Sequence, residues 1–157
     1  MGREDVDAIA EVLRGTDICV LSDEIYSELT YGGVKHVSIA SADGMRERTV
    51  VINGFSKTYS MTGWRMGYAC APAPIIAQMT KIHQFAIMSA PTTSQYAAIE
   101  AVKNGDDDIQ KMLEEYDMRR RLMVGGFNKI GMSCFEPKGA FYAFPSVKIS
   151  GMDSENF

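Results

Sequence analysis

Lys57 stands in the stretch Asn53-Gly54-Phe55-Ser56-Lys57, directly behind an apolar run, and Arg65 follows eight positions later. Ser56 and Arg65 bracket the amine with two phosphate-binding groups, a neutral hydroxyl donor and a planar fork of guanidinium donors. Upstream, Asp23 closes a second apolar run, ICVLS, and Tyr26 lies three positions beyond it, about one helical turn away. An amine, an acid, a phenol and a phosphate clamp converging on one pocket fit pyridoxal phosphate. In that fit Lys57 forms a Schiff base with the aldehyde and Asp23 keeps the pyridinium nitrogen protonated. Tyr26 donates to the ring oxygen, while Ser56 and Arg65 hold the phosphate. Once substrate has displaced it, Lys57 serves a second time as proton shuttle. The catalytic candidates are therefore Lys57 and Asp23, and the cofactor-binding candidates are Asp23, Tyr26, Ser56, Lys57 and Arg65. Gly54, Gly63 and Gly67 allow close backbone approach around them.

Taken singly, each residue has a plainer reading. A Ser-Lys pair after a strand is usually a solvated strand end, a lone aspartate a turn residue or helix cap, and a lone tyrosine a core-edge residue. Only the combination carries chemistry. Trp64 and Tyr68 read as packing residues, His36 and His83 as surface or interface residues without a partner at ligand spacing, and Arg119 to Arg121 as a solvated helix face. Cys19, Cys70 and Cys134 stand far apart, without the paired spacing of a zinc site, and read as buried thiols in a reducing compartment. No metal is expected.

Positioning such a set requires strands that end side by side. ICVLSDEIY and TVVINGF read as buried strands, and RMGYACAP as a third. In a parallel sheet flanked by helices, ligands sit beyond the carboxyl ends of the strands, which is where Asp23 and Lys57 fall. Val6, Ile9, Ala10 and Leu13 repeat at helical spacing before Gly15. Further helices are expected over APIIAQMTKIHQFAIM, over TTSQYAAIEAVKNG, and over residues 106–128, where Asp106 to Asp108 sit at the positive end of the dipole. After Gly131 the alternation in MSCFEPKGAFYAFPSVKIS predicts a strand or hairpin that begins a second, smaller domain. The fold class is α/β.

Composition narrows the function classes. The 157 residues are 46% hydrophobic and 23% charged, as in a globular protein, and the net charge of −4 disfavours nucleic acid as a partner. The first fifteen residues lack the basic-then-apolar pattern of a signal peptide, and no apolar run reaches membrane-spanning length. A cytoplasmic protein with no membrane partner is expected.

The stretches SDEIY, NGFSKTYSMTGWRMGYACAP and PKGAFYAFP, in this order and spacing, resemble the class I and II aminotransferases of fold type I, the aspartate aminotransferase superfamily, over nearly the whole chain. The resemblance implies the same roles for Lys57, Asp23, Tyr26, Ser56 and Arg65, with pyridoxal 5'-phosphate as cofactor. Some relatives carry another serine three residues before the lysine, where this chain has Gly54. It further implies a mostly parallel sheet with flanking helices. Residues 1–128 would be the later part of the large cofactor domain with its connecting helix, and 129–157 the start of the small domain. The implied reaction moves an amino group between an amino acid and a 2-oxo acid in a homodimer. A lyase or synthase on the same fold, or a non-catalytic interaction module, are the alternatives. Family chains are more than twice as long, so their glycine-rich turn is expected before Met1 and their substrate-carboxylate arginine after Phe157.

Overall fold

The computed structural model describes residues 1–157. Helix α1, Arg3–Leu13, opens with Glu4 and Asp5 in its first turn, where acids favour the positive end of the dipole, and the Gly2 amide donates to Asp5 Oδ2 at 2.8 Å. It ends where Arg14 turns extended and Gly15 adopts a φ of 73°, a left-handed conformation that costs glycine little. The Arg48 guanidinium donates to the carbonyls of Leu13 and Thr16 beyond the last turn. Val6 and Ala10 pack against Ile39, Ala42 and Met45, with Leu13 and Val20 against the same cluster. Ile9, expected on that stripe, is 38% exposed and lies at its margin.

The sheet has three strands in the order β1 (Val20–Asp23), β2 (Thr49–Gly54), β3 (Gly67–Cys70). β1 and β2 are parallel, with Val20 opposite Thr49 and Asp23 opposite Ile52. β3 runs antiparallel to β2, with Gly54 opposite Gly67 and Val51 opposite Cys70. The expected sheet is thus mixed at this edge. The connection suits this direction: a parallel return needs a crossover of a dozen or more residues, usually a long helix, and the twelve residues 55–66 sit at that lower limit with only a helical turn, α2 (Phe55–Thr58), and a 3-10 turn at Thr62–Trp64. Gly54 permits a close approach there. A Cβ on it would stand 3.0 Å from the Met66 carbonyl oxygen and 3.1 Å from the Gly67 Cα.

Phe55 and Met61 are buried with Ala98 of α4 (Thr92–Asn104), and Phe55 stacks on Tyr59 at 5.5 Å between ring centroids. Between them lies α3, Ala73–Ala86, started at Pro72 with Pro74 in its first turn. No residue of α3 is buried, and Ile82 and Phe85 face solvent. Cys19 and Cys70 are exposed, which corrects the expectation of buried thiols; Cys134 is buried. No helix is long and apolar enough to cross a membrane.

Two units divide the chain: Met1–Glu28 with Lys35–Asp106, and Leu29–Val34 with Asp107–Phe157. The second is organised by α5, Asp106–Lys129, which stops where Gly131 takes a φ of 86° and the Met132 amide caps the Phe127 carbonyl at 3.0 Å. Asn128 then holds Cys134 by two hydrogen bonds of 3.0 Å, one in each direction. The expected strand or hairpin after Gly131 is reduced to isolated bridges, Thr30 with Gly139 and Cys134 with Pro145. Pro137 and Pro145 lack the amide hydrogen that a continuous ladder would need.

The second unit also revises the arginine triplet. Arg119 and Arg121 are exposed and pair with Glu115 and Asp117, but the Arg120 side chain is only 12% exposed. Its guanidinium donates to Asp117 Oδ1 at 2.6 Å and 2.8 Å and to the Pro137 carbonyl at 3.2 Å, pairs with Glu136 Oε1 at 2.9 Å, and lies 5.1 Å over the Tyr31 ring. Burial pulls its pKa down, and Asp117 and Glu136 outweigh that, so it stands above the usual arginine value.

Candidate active site

Asp23 is the last residue of β1 and stands opposite Ile52, two residues before β2 ends at Gly54. Parallel neighbours about 4.8 Å apart thus finish at one edge. Ser56 and Lys57 sit in α2, immediately after β2, both half-buried. Tyr26 lies in the turn that follows Asp23, closed by the Ser27 amide on the Glu24 carbonyl at 2.9 Å. That turn is tied to β2 by the Glu24 amide on the Ile52 carbonyl at 2.8 Å and by Asn53 Nδ2 donating to Ser27 Oγ at 3.1 Å. Asp23 is exposed, and its Oδ1 accepts from the Ile25 amide at 3.1 Å.

Arg65 belongs to the return connection. It follows the 3-10 turn with φ 51° and ψ 48°, and its Nη1 donates to the Thr62 carbonyl at 2.8 Å. A non-glycine residue held there costs about 1–3 kcal/mol, and such outliers gather at ligand sites. Ser60, in the same connection, is also left-handed at φ 53°. Arg65 lies two residues before Gly67, and Ser56 two residues after Gly54. The pairing of those glycines brings both residues to the strand-end edge. Tyr59 and Tyr68 flank Phe55, and burial is the first cause that pushes both phenols above their usual value. Both stay protonated at neutral pH.

Trp64, expected in packing, is 46% exposed, and its carbonyl accepts from Ser94 Oγ at 2.6 Å. Tyr68 is 48% exposed, with one ring edge on Phe55. His36, expected at the surface without a partner at ligand spacing, is exposed, and its Nε2 lies 2.9 Å from Glu24 Oε2. Glu24 is a buried carboxylate next to Asp23, and its Oε1 accepts from Ser38 Oγ at 2.6 Å and Ser22 Oγ at 3.1 Å. The signal for this cluster was an acid immediately after a strand, with polar residues at 36 and 38 that no local periodicity explains.

The family model for aminotransferase class I and II matches residues 1–153. The chain belongs to the class I and II aminotransferases. Among the aminotransferases it resembles is "Putative aminotransferase YugH" of Bacillus subtilis (strain 168), 54% identical over 155 residues, covering 99% of this chain and 40% of the relative. The aspartate aminotransferase of Pyrococcus abyssi (strain GE5 / Orsay) is 43% identical over 99% of this chain and 40% of its own length. In fold, the aromatic aminotransferase from Pyrococcus horikoshii OT3 superposes with a TM-score of 0.95 at 41% identity, over 99% of this chain and 42% of that one. The chain spans about 40% of the length of the curated relatives it matches. For this aminotransferase chain, then, the mixed α/β sheet with its helices is the architecture of solved aminotransferases, and the strand-end edge belongs to that architecture.

Proposed function

We propose that the protein to which this chain belongs transfers an amino group between an amino acid and a 2-oxo acid, with pyridoxal 5'-phosphate as cofactor. One observation carries the reading: parallel neighbours β1 and β2 end at one edge with Asp23 on the first and Lys57 just past the second. The donor set fits the cofactor, since it offers one carboxylate, one amine, one phenol, and a hydroxyl with a guanidinium for the phosphate. The strained backbone at Arg65 supports the assignment of that guanidinium.

In this reading Arg65 and Ser56 bind the phosphate through charge-assisted and neutral hydrogen bonds. Tyr26 donates its hydroxyl hydrogen to the ring oxygen, and Asp23 holds a proton on the ring nitrogen through its carboxylate. Lys57 presents its Nζ to the aldehyde and later carries the substrate's α-proton on the same atom. When bound, pyridoxal phosphate supplies the aldehyde and a ring that accepts the electrons left by that proton.

Residues 1–128 as the later part of the cofactor domain and 129–157 as the start of the small domain belong to the same proposal, as do a cytoplasmic location and a two-fold homodimer. Unpaired Cys19, Cys70 and Cys134 suit a reducing compartment, and the solvent-facing Ile82 and Phe85 of α3 suit a further covering surface. Sedimentation checks the dimer. For the site, the protein is loaded with pyridoxal phosphate, reduced with borohydride and digested. The label is expected on Lys57 and absent from Lys57→Ala, whose fold is unchanged. A label on Lys81 or Lys103, or none, overturns the assignment, and product analysis with amino and oxo acids distinguishes transfer from elimination.

A further inference from the structure

Glu24 has no part in the roles above, yet it is the buried acid of the strand-end edge, with a side chain 7% exposed. Three side chains approach its carboxylate: Ser22 Oγ at 3.1 Å from β1, and His36 Nε2 at 2.9 Å and Ser38 Oγ at 2.6 Å from a segment more than ten residues downstream. Its backbone is engaged as well, the amide on the Ile52 carbonyl of β2 and the carbonyl accepting from Ser27. Both flanks of Glu24 therefore carry candidate site residues, Asp23 before it and Tyr26 after it, in a turn whose shape depends on where Glu24 is held.

Stability alone gives little reason for a carboxylate here. Burying one is costly, and apolar replacements of buried ionic groups are often neutral or stabilising, so such groups are better explained by the geometry they impose. The geometry is specific: Oε1 takes the two serine donors and Oε2 faces the histidine ring.

We propose that Glu24 is a positioning residue for the cofactor edge, clamping the segment at His36 and Ser38 onto the end of β1 so that Asp23 and Tyr26 are presented to the ring. This rests on the cofactor reading of Asp23, Tyr26 and Lys57 given above. Glu24 touches no reacting atom in this role. Glutamine keeps most of it, because Oε1 still accepts from Ser22 and Ser38 while Nε2 donates to the His36 ring nitrogen in its accepting tautomer.

The test uses the full chain with Glu24→Ala, Glu24→Gln and Ser38→Ala, read by pyridoxal phosphate affinity from fluorescence titration and by hydrogen exchange of the cofactor-free protein. Glu24→Ala is expected to weaken cofactor binding at least tenfold and to speed exchange of the amides at residues 24–27 at least tenfold. Glu24→Gln is expected to stay within about threefold of the unaltered protein in both. Should Glu24→Ala fail to fold, Ser38→Ala decides the matter, with two- to fivefold changes expected in the same direction. Faster exchange with unchanged affinity makes the cluster merely structural and overturns the proposal, as does Glu24→Gln behaving like Glu24→Ala. If the unaltered protein takes no borohydride-fixed label on Lys57, the cofactor reading itself fails and this inference falls with it. A normal label with variants that match the unaltered protein rejects this inference alone.

Discussion

The strand-end edge of the first unit and the arginine knot of the second use charge in opposite ways. Arg120 is nearly enclosed, and its donors are taken up by Asp117, Glu136 and the Pro137 carbonyl, with the Tyr31 ring beneath. Asp23 and Arg65 are exposed, and the bonds that restrain them go to nearby backbone, the Ile25 amide and the Thr62 carbonyl. A charge satisfied on all sides fixes a fold and has nothing left to offer a ligand. A charge restrained by its own backbone keeps binding capacity, at the expense of local strain such as that at Arg65.

The largest effects should come from collapsing that difference at the edge. Asp23→Ala is expected to lower the rate of amino-group transfer by several powers of ten, each about 1.4 kcal/mol of barrier. Cofactor should stay bound, and stability should move by about 0.5 kcal/mol or less, as for surface changes generally. Arg65→Ala should chiefly weaken cofactor binding. Single-turnover kinetics and cofactor titration on both variants check the contrast, which equal losses in both quantities would erase.

In the knot the expected loss is stability instead of rate. Arg120→Ala removes the side-chain donor of the Pro137 carbonyl and leaves Asp117 paired with Arg121 alone, and losing hydrogen bonds of a charged group should cost about 2–3 kcal/mol in urea unfolding, with Lys57 labelling unchanged. A loss under about 0.5 kcal/mol would class the knot with ordinary surface ion pairs. The smallest effect concerns Tyr31, whose hydroxyl donates to the Ala140 carbonyl at 2.6 Å. Burial pushes its pKa up, with Arg120 opposing. The folded protein therefore holds this proton more tightly than the unfolded chain. The contribution is complete below the ordinary tyrosine value of about 10 and is lost as pH rises through the higher folded value. Tyr31→Phe should cost about 1 kcal/mol at neutral pH and flatten the alkaline loss. Unfolding curves on either side of that pH provide the check.

Much of this organisation is legible in the residues. Helical spacing located α1, and two short apolar runs located β1 and β2, with Asp23 ending the first and Lys57 just past the second, but the buried strands expected there are only half-buried: β1 alternates half-buried and exposed residues, and Leu21 is 72% exposed. The direction of β3 is not written that way, since the apolar run in RMGYACAP suits either direction and the twelve-residue connection is at the lower limit for a parallel crossover. The alternation after Gly131 imitated a hairpin, while the prolines within it left isolated bridges. Arg120 was hidden among three arginines, and its burial depends on Tyr31, a residue far upstream. Glu24, His36 and Ser38 were hidden for the same reason: partners distant in sequence leave no periodic trace. At the site, the residue types pointed to a cofactor, but the left-handed backbone of Arg65 needed coordinates.

The Glu24 cluster also bears on how the sheet can assemble. β1 and β2 are joined by a long connection whose regular structure is two 3-10 turns, Ile39–Ser41 and Arg46–Arg48, so pairing them directly means closing a large loop of loosely ordered chain. Ser38 lies about midway along it, and its bond to Glu24 spans 14 residues. With that contact made, the loop still to be closed before Thr49 meets Val20 is roughly halved. Chain entropy then opposes the pairing by about 0.6 kcal/mol less.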